Sequence, residues 1–312
     1  MESNFKHVSV LLDECIQGLN LKKGGIYVDG TIGGAGHSLK MLETQKDITL
    51  IGIDQDSDAL EVCKERLKKY ADQVVLRHDN FKNACQVLDD LNIDKIDGIL
   101  LDLGVSSYQI DTPSRGFSFR FDAPLDMRMD QENSLTAFDV VNNYSEKELA
   151  DIIFKYGEEK FARKIARSIV EQRKKSSIKT TFDLKELIEK CTPRIKGMPN
   201  VDCVQRTFQA IRIEVNGELD KLDEFLHDIA KRLNKGGRIA VISFHSLEDR
   251  IVKNAFKDLA CDCICPPDLP ICVCDHRAIG KVITSHPITA SPEELAVNRR
   301  SASAKLRILE RI

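Results

Sequence analysis

The stretch Asp29-Gly30-Thr31-Ile32-Gly33-Gly34-Ala35-Gly36-His37 lies between a short apolar run and a segment with helical spacing. Glycines at such a junction let the backbone approach a ligand closely and open a helix N-terminus toward it. Asp54 ends the next apolar run, about 18 residues after Gly36. That spacing suits a carboxylate that accepts hydrogen bonds from ribose hydroxyls. The pair is compatible with either a dinucleotide or S-adenosylmethionine.

Three details separate the two ligands. The dinucleotide pattern G-x-G-x-x-G fits Gly34 and Gly36, but the next required position is Leu39. A leucine there obstructs the close helix–strand packing that makes room for a pyrophosphate. Asp29 stands just before the glycines, where a carboxylate can hold an ammonium and would repel a phosphate. Leu233-Asn234-Lys235-Gly236-Gly237, ahead of a late strand, is a turn common in class I methyltransferases, and no G-x-x-x-x-G-K-[ST] phosphate loop occurs.

Two further clusters carry reactive side chains. Ser243-Phe244-His245-Ser246, with Glu248 and Asp249 close by, tempts a hydrolase reading. The G-x-S-x-G elbow is missing, however, and triads assemble in space, not along one short segment. The other cluster is Cys261, Cys263, Cys265, Cys272 and Cys274 with His276, half of the 10 cysteines. Thiolates are suitable zinc ligands, but C-x-C pairs are less diagnostic than C-x2-C pairs, so zinc stays open and no metal is assigned. Any such metal would be structural, because methyl transfer from a sulfonium needs no Lewis acid.

These residues need elements to position them. Ile26–Val28, Ile48–Ile53, Val74–Leu76 and Ile99–Leu101 read as strands alternating with helices, which argues for a doubly wound parallel sheet. Ser106 to Asp130 has neither period and reads as a long functional loop, and Ser134 to Cys191 reads as helical throughout. Alternation resumes with a helix near Glu218–Leu233 and the strand Arg238–Ile242. The interruption is far longer than a crossover, so the organisation expected is an α/β domain over 1–110 and 210–312 with a helical insert over 111–209. The 312 residues carry 46 Lys plus Arg against 49 Asp plus Glu, a formal charge of -3, with no Trp. That excludes a polycation and broad aromatic stacking on single strands. No apolar run approaches the length of a membrane helix and no signal sequence is visible, so a reducing cytoplasm is expected.

The chain resembles the bacterial 16S ribosomal RNA cytosine-N4 methyltransferases, the ribosomal RNA small subunit methyltransferase H (MraW) family. The resemblance rests on His7-Val8-Ser9-Val10-Leu11-Leu12, Gly33-Gly34-Ala35-Gly36-His37, Asp102-Leu103-Gly104-Val105-Ser106-Ser107, Arg115-Gly116-Phe117-Ser118-Phe119 and Leu125-Asp126-Met127-Arg128-Met129-Asp130. It continues through Tyr156-Gly157-Glu158-Glu159, Arg206-Thr207-Phe208-Gln209-Ala210, Ser243 to Arg250, and Ser303-Ala304-Lys305-Leu306-Arg307. It implies a class I S-adenosylmethionine-dependent methyltransferase fold with an inserted helical domain, acting on a cytidine in the decoding region of the small subunit. Cofactor contacts implied are Ala35, Gly36 and His37, Asp54 at the ribose, Phe81 beside the adenine, and Asp102 and Gln109 near the methionine end. Two stretches depart from the family pattern: Asp202-Cys203 replaces the usual His-Pro, and Ala302 the usual Arg, which touches details of RNA contact.

Cytosine N4 is a poor nucleophile because its lone pair is delocalised into the ring, so positioning and electrostatics must supply most of the catalysis. Many amino-methyltransferases use an Asp/Asn/Ser-Pro-Pro-aromatic turn after the fourth strand. Here the turn is Asp102-Leu103-Gly104-Val105. Asp102 therefore orients the amine, binds the cofactor, or both, and the cofactor role is favoured. Phe244 and His245 are candidate base contacts on a strand-end lip. A structural His245 is the alternative. Arg115, Arg120 and Arg128 are candidate phosphate contacts, and Phe117, Phe119 and Phe121 can line a base pocket. Lys155 to Lys175 holds eight Lys and Arg against three Glu, a basic helix or simply a solvated face. A stacked base must flip out to reach a buried donor. The partner expected is 16S rRNA within the small subunit. A homodimer is compatible with the sequence, and a membrane is not a partner. The rivals are a DNA or other RNA amino-methyltransferase and a non-catalytic assembly factor on the same fold.

Overall fold

The computed structural model describes residues 9–194, 200–263, 265, 269, 271, 273, 274 and 277–312. The chain divides into two compact units: Met1–Gly104 with Asp220–Ile312, and Val105–Leu219. The expected cut at 210 would split α10 (Val201–Asn216), one continuous 16-residue helix. The second boundary therefore falls after that helix.

The first unit is built on a seven-stranded sheet. Its strands are β1 (Ile26–Asp29), β2 (Thr49–Asp54), β3 (Val74–His78), β4 (Ile96–Asp102), β5 (Leu233–Ser243), β6 (Gly280–Val282) and β7 (Lys305–Arg311), in the order β3-β2-β1-β4-β5-β7-β6. The first five run parallel, and β7 lies antiparallel between β5 and β6. The apolar runs of β1, β2 and β4 are buried on both faces, as a parallel sheet requires, whereas that of the edge strand β3 is only half-buried. Alternate residues serve opposite layers. Ile99, Leu101, Ile239 and Val241 face one cluster with α4 (Ala84–Asp90), α11 (Leu222–Lys231) and α12 (Ser246–Leu259). Leu100, Ala240 and Ile242 face the other, with α1 (Leu12–Leu19), α2 (Gly36–Thr44) and α3 (Ser57–Arg66). The Lys235-Gly236-Gly237 turn lies within β5 as a bulge: pairing jumps from Ile96–Leu233 to Gly98–Arg238, and Gly236 has φ 74°.

The chain winds from β1 outward through β2 and β3, then returns to β4 on the other side of β1. Ligands of such sheets bind at this reversal, beyond the carboxyl ends of the strands. Three neighbouring strands end there on an aspartate: Asp54 on β2, Asp29 on β1 and Asp102 on β4.

The second unit contains α5 (Ser107–Asp111), α6 (Ala137–Asn143), α7 (Glu146–Gly157), α8 (Ala162–Arg173), α9 (Thr181–Cys191) and α10. Capping boxes start α5, α6, α7 and α9, at Ser106/Gln109, Thr136/Asp139, Ser145/Glu148 and Thr180/Asp183. Each satisfies helix-end amides that packing alone would leave exposed. The segment expected to be a loop holds α5, a short 3-10 turn at Pro113–Arg115 and a fixed path over the helices. Met127 and Leu125 enter the core, and Asn216 bonds both Met127 O (2.8 Å) and Met129 N (2.7 Å).

Tyr156-Gly157-Glu158-Glu159 and Arg206-Thr207-Phe208-Gln209-Ala210 are distant in sequence but form one lock. Arg206 donates to Glu159 at 2.7 Å, Gln209 Nε2 to Tyr156 O at 3.0 Å, and a Cβ on Gly157 would stand 2.6 Å from Arg206 O. The unusual Cys203 is fully buried in this region, so it touches no RNA, whereas Asp202 is exposed on the first turn of α10. Ala302 is exposed on a 3-10 turn, Arg299–Ser303.

Candidate active site

The glycine loop is held from three sides. Asp54 accepts hydrogen bonds from Gly33 N (2.7 Å) and Asp56 N (2.9 Å), so it fixes the loop as well as facing the crevice. From α3, Cys63 Sγ donates to Gly33 O at 3.0 Å, and Arg66 donates to Gly34 O. Those carbonyls are thereby drawn back toward α3. Beneath the loop, Asp29 accepts from Ser38 Oγ (2.6 Å) and Thr31 N (3.3 Å) and is 1% exposed. It is sealed off, so the ammonium contact expected of it is not accessible. Ala35 is fully buried at φ 59°, a conformation that costs a non-glycine residue energy and that clusters at functional sites.

His37 follows on α2. Its Nε2 lies 2.9 Å from Val10 O, which can only accept, so this nitrogen carries the proton. Its Nδ1 faces Asp102 Oδ2 at 3.9 Å, beyond hydrogen-bond range. Asp102 N donates to Thr31 Oγ1 at 2.6 Å, which ties β4 to the loop. Among the described residues, Asp102 Oδ1 is sealed from solvent with no hydrogen-bond donor, although the side chain as a whole keeps 28% exposure. Burial, followed by repulsion from Asp29 and Glu248, pushes the Asp102 carboxyl up to about 8. Burial likewise raises Asp29 and Asp54 to about 6. A site of three raised carboxylates, one with an orphaned oxygen, calls for a ligand rich in positive charge and hydrogen-bond donors.

Phe81, just after β3, is 8% exposed and packs edge-on against Phe225 with centroids 5.3 Å apart. A Cβ on the neighbouring Gly30 would sit 3.1 Å from Phe81 Cβ and 2.6 Å from Leu101 Cδ2. Phe244 follows β5, and its ring comes within 3.6 Å of where a Cβ on Gly104 would lie. Gly104 itself has φ 95°, so the turn after β4 depends on glycine.

Two expected substrate contacts also hold local structure. His245 is the N-cap of α12: its Nδ1 accepts from Glu248 N at 3.4 Å while Nε2 faces Glu248 Oε1 at 3.2 Å, with the side chain 8% exposed. A helix start needs such an acceptor, while Nε2 is buried with no hydrogen-bond partner among the described residues. Arg115 is 5% exposed and donates to Arg128 O and Met129 O, both at 2.9 Å. It staples its own loop. Arg128 is also engaged, in a bidentate pair with Asp126. Arg120 is exposed. Phe117 and Phe119 pack on the helical core, while Phe121 is 42% exposed. Gln109 is 4% exposed and turns its Oε1 to Ser106 N at 3.0 Å as part of the α5 capping box. Within the basic segment, Arg173 is bound to Val141 O and Tyr144 O, whereas Lys160, Arg163, Lys164, Lys174 and Lys175 are exposed.

Sequence reasoning did not single out Ser9, Thr31, Ser38, Cys63 or Arg66, whose roles are contacts between elements that no local pattern announces. Ser9 gives a test. A Cβ on Gly36 would lie 1.9 Å from Ser9 Oγ and 3.3 Å from Ser9 Cβ. Gly36→Ala is expected to displace the loop at an overpacking cost of about 1–3 kcal/mol. Adding Ser9→Gly should recover most of the lost stability and ligand affinity in thermal melts and titrations. Equal losses in the single and double variants would refute this packing.

The strand order, with β7 antiparallel beside β5, is that of class I methyltransferases. A family model for the MraW methylase family matches residues 4–312. The chain belongs to the MraW methylase family. Its relatives include the ribosomal RNA small subunit methyltransferase H of Clostridium botulinum (strain 657 / Type Ba4), 54% identical over 312 residues that cover 99% of each chain. The protein of the same name in Clostridioides difficile (strain 630) is 53% identical over 309 residues, again 99% of each chain. A solved rRNA methylase from Streptococcus thermophilus is a distant likeness: 12% identity and a TM-score of 0.41, covering 98% of this chain and 99% of that one. Family membership and the buried carboxylates agree on the kind of ligand, since a methyl donor with a sulfonium and an ammonium is cationic where a dinucleotide is anionic.

Proposed function

We propose that this chain transfers a methyl group from S-adenosylmethionine to the exocyclic N4 of a cytidine in the decoding region of 16S ribosomal RNA. The observation that carries the reading is the Asp102 carboxylate beside the glycine loop, 28% exposed and with one oxygen that has no hydrogen-bond donor among the described residues. The relatives' names support ribosomal RNA of the small subunit as the substrate. S-adenosylmethionine, when bound, supplies an electrophilic methyl group on sulfur. Asp102 accepts from its ammonium, the Ala35-Gly36-His37 turn seats its methionine portion with Gln109, Asp54 accepts from its ribose hydroxyls, and Phe81 bounds its adenine. Phe244 is the side chain in place to meet the flipped base.

No helix among the described residues is long and apolar enough to cross a membrane. In this reading the reaction takes place in the cytoplasm, where a ribosomal substrate is found. The test is to incubate the chain and labelled donor with unmodified small subunits, free 16S rRNA and DNA, then map the label. Label at one cytidine N4 in 16S rRNA is expected. Transfer to a ring carbon, another base or DNA refutes the reading, and no transfer to any of them favours an assembly factor.

The exposed cations of α8 supply the phosphate contacts in this reading. Replacing Arg163 and Lys164 together by Ala is expected to weaken rRNA binding and flatten its salt dependence. Each lost phosphate contact should lower the log–log slope by about 0.7–0.9. An unchanged slope would leave α8 as a solvated face.

A further inference from the structure

The loop between α12 and β6 closes at its base. Ile279 N donates to Leu259 O at 2.9 Å, and Ala278 N donates to Asp262 Oδ1 at 3.1 Å. Of its described apolar side chains, Leu269 is 44% exposed, Ile271 74% and Val273 77%. These do not form a core, and a segment of this kind needs a cross-link to stay ordered. Three thiols converge inside it. The Sγ atoms of Cys263, Cys265 and Cys274 all lie within 4.8 Å of one another, and Cys263 and Cys274 are 3.7 Å apart. Two thiolates on one tetrahedral zinc, at Zn–S of about 2.3 Å, stand about 3.8 Å apart. The backbone is arranged around sulfur as well: Cys265 N donates to Cys263 Sγ and Val273 N to Cys265 Sγ, both at 3.4 Å. Amides pointed at sulfur stabilise the thiolate form and orient it, as partners of metal-bound ligands do.

We propose that Cys263, Cys265 and Cys274 hold a structural zinc ion that knots this loop. Each ligating S–H gives its proton to solvent as one Zn–S bond forms, and nothing is oxidised. Cys261, whose Sγ donates to Cys263 O at 2.7 Å, or a water completes the tetrahedron. Cys272 and His276, also considered from sequence, lie outside the described residues. The ion is remote in role from methyl transfer, so its loss should affect the fold of the loop and not the transfer chemistry.

The experiment uses the full chain, purified through a tag that contains no histidines and dialysed against metal-free buffer, with zinc measured by plasma mass spectrometry. About one zinc per chain is expected in the wild type and in a Cys85→Ser control, and under about a tenth in Cys263→Ser/Cys274→Ser. The double variant should melt several degrees lower and retain methylation. Under a tenth of an equivalent in the wild type overturns the proposal, as does a Cys263–Cys274 disulfide in peptide maps of the protein as purified. If the double variant folds poorly, cobalt(II) substitution of the wild type decides. Absorption bands of a tetrahedral thiolate site support the proposal, and their absence overturns it.

Discussion

Asp102→Asn is expected to lower methyl-donor affinity about 10- to 100-fold, to reduce methylation at least as much, and yet to raise the melting temperature of the ligand-free protein. The affinity loss follows from removing one charged hydrogen-bond partner, about 1.5–3 kcal/mol. The stability gain follows from linkage. The Asp102 carboxyl sits at about 8 in the fold against 3.8 when free, so the folded state keeps a proton that the unfolded state releases. Stability from this group is therefore full below about pH 4 and is lost as pH rises through about 8, on the order of a few kcal/mol. An asparagine has no proton to lose and should flatten that decline.

The same shift sets the pH dependence of binding. A cationic donor favours the ionised carboxylate, so its affinity should rise from about pH 6 to 8 with release of a proton, and this rise should vanish in the variant. Calorimetric titrations in two buffers of different ionisation enthalpy measure the proton directly. Wild-type affinity and rate in Asp102→Asn would rule out both roles for this residue.

Arg206→Met should be the most destabilising single change in the helical unit. Glu159 is fully buried and accepts from both Arg206 (2.7 Å) and Phe161 N (2.8 Å). Removing the guanidinium leaves a buried carboxylate without its counter-charge, a loss of about 2–4 kcal/mol. The lower part of the usual range applies because Arg206 keeps 38% side-chain exposure. Adding Glu159→Gln removes the stranded charge while preserving an acceptor for Phe161 N. The double variant should then be more stable than Arg206→Met alone, as read by thermal and urea melts of the full chain. If the second change makes matters worse, uncompensated charge is not the cause.

The glycine loop and Asp54 were legible because their relation is local: a strand, a turn, a helix and the next strand end fall in fixed order along the chain. The apolar runs of β1, β2 and β4 were equally plain, since a parallel sheet buried on both faces demands them. The local roles of His245 and Arg115 are not legible for the opposite reason. Histidine beside a strand end and arginine in a loop look the same whether they face a ligand or satisfy backbone groups, and only the neighbours distinguish the cases. The segment 106–130 reads as irregular because its order comes from side chains of α9 and α10 (Thr181 and Asn216) that are remote in sequence.

By itself, then, the sequence determined the alternating α/β unit, the presence of a long helical interruption, the glycine turn and a resemblance to the MraW methylases. These depend on periodicity, short spacings and shared motifs. Tertiary structure alone decided that Asp29 is sealed while the Asp102 side chain stays partly exposed, that two distant family stretches form one lock, and that three of the clustered cysteines share a point. Burial and the convergence of side chains across long sequence separations are properties of packing, and no local pattern encodes them.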